Sequence, residues 1–272
     1  MAKIFISGIN SGIGSFLAKQ YLDDGHEVYG TYRKSLDNNL KRKLTEAYCC
    51  DFSHRDDVDQ LVSRLKTDKF FSWDIFISSV GTLAPVGNFS ELDFDEWEQS
   101  LYVNAISQLR LLRGILDSRG EMATVIFFAG GGTNNAFPNY SCYCASKILL
   151  IKMCELLDDE IKDLKTVIAG PGMIGTRIHE TTLQNPEKAG DNYVKTTSFL
   201  KSEKDSDYQT RMERIYRFIG WVVKSDKKAV GGRNFSIVHD LWGGEKLANA
   251  LEDDGDMYKL RRHKNDLVLE DI

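Results

Sequence analysis

Seven short apolar segments recur along this chain, and their spacing is what most constrains its fold. They read KIFISG, HEVYGTY, EAYCC, WDIFISS, ATVIFFAG, KTVIAG and FSIVHD. Most are apolar at consecutive positions, which is typical of parallel strands buried on both faces, and helical patterns separate them. The sequence therefore predicts an α/β fold with a doubly wound parallel β-sheet in a single domain.

Two regions interrupt this alternation. Residues 177–207 are polar and irregular over a length unusual for a loop, and we interpret them as a lid over a ligand site. Residues 241–272 are a charged tail that we expect to pack on the domain or at a subunit interface. The domain itself is expected to occupy residues 1–240.

Composition limits the classes of function. The 272 residues are 42% hydrophobic and 28% charged, as in ordinary globular proteins, and the net charge of −5 disfavours a nucleic-acid partner. No apolar run approaches the roughly 20 residues that span a bilayer, so we expect a cytoplasmic protein without a membrane partner. The five cysteines lack paired spacing, and the five histidines lack ligand spacing, so neither a disulfide framework nor a metal site is expected.

The first apolar segment runs directly into a glycine-rich turn and then into a helical pattern. Glycine lets backbone N–H groups approach a pyrophosphate closely, and the positive end of the helix dipole attracts its charge. This arrangement predicts a dinucleotide site of the Rossmann fold, the alternative being an ordinary tight turn. The expected cofactor contacts here are Ser7, Gly8, Asn10, Ser11, Gly12, Ile13 and Gly14.

The end of the second predicted strand bears on the choice of cofactor. NAD sites usually place an acid there to bind the ribose 2′-hydroxyl, but here Arg33 and Lys34 follow, and the next acid is Asp37. The two cations favour a 2′-phosphate, and therefore NADP(H) over NAD(H), unless they are simply solvated. After the third strand, Asp51 and Phe52 are expected to line the adenine pocket, while Ser53 could cap the next helix.

Tyr143 and Lys147 lie four residues apart in a segment with a strong helical pattern. At this spacing, both side chains share one helix face and can reach the same ligand. A phenol with its usual pKa near 10 is a poor base at neutral pH, but a nearby ammonium favours the phenolate. The pair is a candidate proton-transfer site, although two unrelated surface residues would show the same spacing.

The motifs, taken in order, resemble those of the short-chain dehydrogenase/reductase family from Lys3 to about Asp240. The matching features are the glycine-rich turn, Asp51, the asparagine of VNA, the Tyr143 and Lys147 pair, and the segment PGMIGT. Five ordered motifs are far more specific than any single one. The resemblance implies an oxidoreductase that interconverts a carbonyl and a secondary alcohol by hydride transfer with NADP(H), and usually a homodimer or homotetramer.

The resemblance also implies individual roles. Tyr143 is expected to be the general acid/base, Lys147 to hold the nicotinamide ribose and lower the phenol pKa, and Asn104 to hold a water of the proton relay. Ser79 and Gly81 are expected near the adenine ribose. The expected contacts to the nicotinamide are Pro171, Gly172, Ile174 and Thr176.

The chain departs from the family pattern in two segments. Ser78-Ser79-Val80-Gly81 replaces the usual Asn-Asn-Ala-Gly, so serine hydroxyls must brace that turn or its hydrogen bonds are lost. Gly130 stands thirteen residues before Tyr143, where the family has a serine that orients the substrate carbonyl. Thr133, or less readily Asn134 or Ser141, could supply the donor, as could backbone N–H groups of the Gly130–Gly132 run.

The sequence thus predicts an enzyme with Tyr143, Lys147, Asn104 and Thr133 as its catalytic residues, acting on a small carbonyl or alcohol. Two alternatives remain at this point. One is a nonenzymatic nucleotide-binding regulator or scaffold on the same fold, which the missing serine would favour. The other is an enzyme that modifies a nucleotide sugar and recycles its cofactor.

Overall fold

A computed structural model describes residues 1–263 of the chain. Its strands form one seven-stranded sheet, and every neighbouring pair of strands is parallel. The strands are β1 (Lys3–Ser7), β2 (Glu27–Tyr32), β3 (Glu46–Cys49), β4 (Trp73–Ser78), β5 (Arg119–Phe128), β6 (Leu164–Gly170) and β7 (Arg233–Ser236). Their order across the sheet is β3-β2-β1-β4-β5-β6-β7, which confirms the predicted doubly wound α/β fold.

Helices connect the strands and cover both faces of the sheet. They are α1 (Gly12–Asp23), α2 (Asn38–Lys43), α3 (Arg55–Thr67), α4 (Phe94–Leu101), α5 (Ser107–Ile115), α6 (Ser141–Glu160), α7 (Glu180–Gln184), α8 (Pro186–Ala189), α9 (Asp191–Ser202), α10 (Asp205–Lys224), α11 (Lys227–Val230) and α12 (Glu245–Asp253). A π-helical turn at Tyr102–Ile106, which contains Asn104, joins α4 to α5, so the helical segment is continuous there but locally widened. None of the helices in residues 1–263 is long and apolar enough to cross a membrane.

The consecutive apolar residues of the strands are buried because successive side chains face opposite layers. In β1, Ile4 and Ile6 belong to the core beneath α1, α10 and α12, whereas Phe5 belongs to the core beneath α3, α5 and α6. All three side chains are fully buried. This two-sided burial is the reason that the strands read as apolar runs rather than as alternating patterns.

The order in which successive strands are added to the sheet reverses next to β1. This strand pairs with β2 on one side and with β4 on the other. In open parallel sheets, ligands bind in the crevice at the carboxyl ends of the strands where the order reverses. The turn after β1 and the loops after β4, β5 and β6 all meet at this edge.

The predicted lid is helical rather than irregular, which corrects the expectation for residues 177–207. It contains a 3₁₀ turn at Arg177–His179, then α7, α8, α9 and the start of α10. These short polar helices show little periodicity of their own, and contacts with the domain hold them. Thr182 and Tyr140 share a hydrogen bond between their hydroxyls at 2.8 Å, and Asn192 Nδ2 donates to Pro138 O at 3.0 Å.

The chain beyond β7 also differs in detail from the prediction. The last strand covers Arg233–Ser236 rather than FSIVHD, because Asp240 turns back and accepts a hydrogen bond from Ser236 N at 2.6 Å. The tail does pack a short helix, α12, whose Leu247 and Leu251 are buried in the core. Residues 264–272 of the predicted tail lie outside the described residues, and a subunit contact there stays a prediction.

Candidate active site

A cleft of about 1240 Å³ lies at the carboxyl edge of the sheet. This exceeds the roughly 300–1,000 Å³ of an ordinary small-molecule site, so a dinucleotide and a small substrate can share it. Its walls include the first turn, the end of β2, the loops after β4, β5 and β6, and the lid. The predicted residues that line it are Gly8, Asn10, Ser11, Gly12, Ile13, Arg33, Lys34, Asp51, Phe52, Ser79, Gly81, Thr133, Tyr143, Lys147, Pro171, Gly172, Ile174 and Thr176.

The glycine-rich turn is held in a shape that only glycine adopts easily. Gly8 has φ of +80°, and its N–H donates to Thr31 Oγ1 on β2 at 3.0 Å. Ser11 caps α1 by accepting from Gly14 N at 3.4 Å, which leaves the first turn of the helix facing the cleft. A Cβ on Gly14 would overlap Gly8 O, so this glycine supports the turn from behind.

The loop after β6 closes over the same turn. A Cβ on Gly12 would lie 2.5 Å from Thr176 Cγ2, and Arg177 donates to Asn10 O at 2.6 Å. Glu203 fixes this loop by accepting from Gly175 N at 2.8 Å. The turn, the loop and the helix positive end together form a cradle that fits a pyrophosphate.

The serines after β4 brace the turn in place of the usual asparagines. Ser79 Oγ donates to Ser7 O at 2.6 Å and lies 3.2 Å from Gly8 O. Ser78 Oγ donates to the Gln108 side chain, and Ser7 is fully buried behind the cleft lining. Of the two outcomes considered for this departure, replacement by serine hydroxyls is the one that occurs.

Arg33 and Lys34 are exposed at the cleft mouth beyond β2. Asp51 lies across from them and accepts from both the backbone N–H and the hydroxyl of Ser53, at 3.0 and 2.7 Å. Partial burial alone would raise the pKa of Asp51, but these bonds and nearby Arg33 lower it, so the carboxylate is ionised. Ser53 therefore donates hydrogen bonds to Asp51 and does not cap α3, whose N-cap residue is His54.

Asn104 lies in the π-helical turn and is fully buried behind the lining. Its side chain clamps the loop after β4, accepting from Thr82 N at 2.8 Å and donating to Thr82 O at 3.0 Å. Gln108 Nε2 donates to the Asn104 carbonyl at 2.8 Å. A π-turn often marks a functional site, and here it turns the amide of Asn104 toward the cleft wall. The proton-relay water expected at Asn104 stays a prediction.

Tyr143 and Lys147 occupy one face of α6 and are nearly buried at the cleft floor, as their spacing predicts. Lys147 Nζ lies 5.5 Å from the centroid of the Tyr143 ring. Burial lowers the pKa of Lys147 to about 8. Burial also raises the pKa of Tyr143, aided by Cys144, so without a cofactor the phenol is held as an acid rather than as a phenolate. This direction is opposite to the one expected from the ammonium alone.

The lid packs directly against this floor. Tyr143 forms one apolar cluster with Leu83, Phe137, Ala189 and Ile178. The lid residues Thr181, Gln184, Lys195 and Thr196 also face the cleft. Water is therefore largely excluded from the phenol while a polar rim remains above it.

Two proposed substitutes for the serine have other partners. The Thr133 hydroxyl donates to Gly130 O at 3.3 Å, and Ser141 Oγ accepts from Trp97 Nε1 at 3.1 Å on the α4 side. In this geometry, the Thr133 hydroxyl is bonded within its own loop, and the Ser141 hydroxyl is bonded to Trp97.

Sequence reasoning missed several cleft residues. Thr31 receives the Gly8 N–H, Arg177 reaches over the turn, and Ile178 and Lys195 come from the lid. Thr31 lies near the end of β2, next to the recognised Arg33 and Lys34, and this position at the carboxyl edge of the sheet was an available signal. The lid residues carried no local signal. Within residues 1–263, no group of His, Cys, Asp or Glu side chains could hold a metal.

Comparison with known proteins identifies the family. The short chain dehydrogenase family model matches residues 2–187. The chain belongs to this family of oxidoreductases. One relative is the benzil reductase ((S)-benzoin forming) of Bacillus subtilis, 26% identical over 201 residues that cover 69% of this chain and 81% of the relative.

Solved structures of the family share the fold. A short chain dehydrogenase/reductase from Saccharomyces cerevisiae superposes with a TM-score of 0.73 at 20% identity, over 92% of this chain and 99% of that one. A short chain dehydrogenase from Burkholderia cenocepacia, in complex with NADP, gives 0.68 at 20% identity, over 86% and 95%. The cleft geometry therefore agrees with membership of this family of NAD(P)-dependent oxidoreductases.

Proposed function

We propose that this protein is an NADP(H)-dependent reductase of small carbonyl compounds, with Tyr143 as its general acid/base. The observation that carries the proposal is the pairing of two buried side chains, Tyr143 and Lys147, at one end of the cleft. Arg33 and Lys34 flank its other end. The NADP complex of the Burkholderia relative supports this choice of cofactor.

The residues of the cleft fit a dinucleotide. The cradle at Gly8 and Gly12 would hold the pyrophosphate, Asp51 the adenine, and Lys147 the nicotinamide ribose. A reduced nicotinamide bound there would supply the hydride. The task of the protein is then to hold the carbonyl above Tyr143 and to donate a proton to its oxygen. Burial keeps the phenol protonated, and the Lys147 ammonium and an oxidised nicotinamide would lower its pKa toward the working pH, where proton transfer is efficient.

The test is turnover of NADPH and NADH with a panel of ketones, aldehydes and 1,2-diketones, benzil included because a relative is named for it. We expect NADPH oxidation with at least one class, and a decrease in kcat of about 10²–10⁴-fold in Tyr143→Phe. Tight NADPH binding without turnover on any class would instead support a nucleotide-binding regulator. Product formation without net NADPH oxidation would support a nucleotide-sugar enzyme. The expected homodimer or homotetramer can be measured on the same sample by light scattering.

A further inference from the structure

Gly130 lies two residues beyond β5, directly against the ring of Tyr143. A Cβ built on Gly130 would overlap the Tyr143 hydroxyl oxygen and would lie 2.5 Å from both Cε1 and Cζ of that ring. A real Cβ does not approach ring atoms this closely. The phenol therefore occupies the space in which a side chain at position 130 would sit.

The Tyr143 hydroxyl is one of the polar groups that the cleft presents at this point, together with Asn134 and the backbone of Gly131. The Thr133 hydroxyl donates to Gly130 O, and Ser141 is turned toward Trp97. The Tyr143 ring is 8% exposed, packs against Leu83, Phe137 and Ile178, and faces the cleft. The Tyr143 hydroxyl, which fills the space beside Gly130, can therefore contact a carbonyl bound in the cleft.

We infer that Gly130 is a positioning residue whose missing side chain admits the Tyr143 hydroxyl, so that this one hydroxyl both orients and protonates the substrate carbonyl. The inference rests on the proposed function. In the step, a reduced nicotinamide would supply the hydride to the carbonyl carbon and would itself be oxidised, while the π electrons move to oxygen. The oxygen takes the Tyr143 proton, which leaves Tyr143 as phenolate. The glycine is then a requirement of the site, and a serine at this position would displace the acid.

The test compares Gly130→Ser and Gly130→Ala with Gly131→Ala. The last variant stiffens the same loop, but its Cβ would first meet Phe137 Cε1, at an ordinary 3.4 Å, and not Tyr143. We expect kcat of both Gly130 variants to lie at least about 100-fold below that of Gly131→Ala, which is the lower end of the 10²–10⁴-fold range of a displaced general acid. NADPH binding, followed by cofactor fluorescence, should be retained in all three.

A second measurement does not depend on turnover. The ¹³Cζ resonance of Tyr143, assigned by its loss in Tyr143→Phe, should shift in Gly130→Ala and titrate at lower pH, because the displaced ring is less buried. In Gly131→Ala, the resonance should stay near its wild-type position.

The outcomes separate the two proposals. A Gly130→Ser variant that is faster than wild type, or ten-fold faster than Gly130→Ala, would overturn the inference, because serine would then be an independent donor. An unchanged Tyr143 resonance in Gly130→Ala would also overturn it. If the wild-type protein turned over no carbonyl, the proposed function would be wrong. The ¹³Cζ resonance of Tyr143 would still report where the Tyr143 ring lies.

Discussion

Replacing Lys147 by methionine should make the cofactor-free protein more stable at neutral pH. Lys147 is 4% exposed, and burial is the cause of its lowered pKa, with no acidic group among residues 1–263 offsetting it. Because the ammonium form is favoured in the unfolded chain but penalised in the folded one, the lysine reduces stability whenever it is charged. Methionine keeps the apolar stem and removes the charge.

The magnitude follows from the two pKa values. The folded value is about 8 and the reference value is 10.5, a difference of 2.5 units. At 1.36 kcal/mol per unit, the penalty is about 3 kcal/mol. Since the folded pKa is the lower one, the penalty is fully present below pH 8, decreases between pH 8 and 10.5, and is absent above pH 10.5.

Urea unfolding of both proteins without cofactor, at intervals from pH 6.5 to 10.5, measures this difference. Ionisation of tyrosines and cysteines affects both proteins alike and cancels when the two free energies are subtracted. Lys152→Met is the matched control, since Lys152 is exposed on the same helix and, in the part of the chain that the structure describes, pairs only with Glu155. Its effect should stay below about 1 kcal/mol. A Lys147→Met protein less stable than wild type at pH 6.5, or a difference that persists unchanged to pH 10.5, would refute the reasoning.

Two further predictions concern other cations. Replacing Arg33 and Lys34 together by alanine should weaken NADPH binding by about 10–100-fold, because charge-assisted bonds to a 2′-phosphate would be lost. Fluorescence titration measures this change, and NADH binding should change little. An equal loss of affinity for both cofactors would argue against the assignment of these residues to the 2′-phosphate. Lys165→Met should lower the unfolding free energy by about 2–4 kcal/mol in urea, because the buried ammonium caps α10 by donating to Val222 O and Val223 O at 2.8 and 3.0 Å; an unchanged midpoint would exclude this capping role.

The local order of the fold could be predicted from the sequence. The seven apolar runs correspond to the seven strands, because a strand covered on both faces must be apolar at nearly every position. The glycine-rich turn after β1 could also be predicted, since glycine is the residue that most easily adopts the positive φ found at Gly8. Tyr143 and Lys147 share a face because of helix periodicity alone. These features depend on residues close together in the sequence.

Tertiary structure decided the features that depend on residues far apart. The lid sequence shows little periodicity, and its position against the domain depends on contacts such as those of Thr182 and Asn192 with the segment before α6. The raised pKa of Tyr143 comes from burial beneath Leu83 and the lid, which no local pattern encodes. Position 130 illustrates the division: the sequence showed that a serine was absent, but only the packing of α6 against the end of β5 placed the Tyr143 hydroxyl in the vacated space.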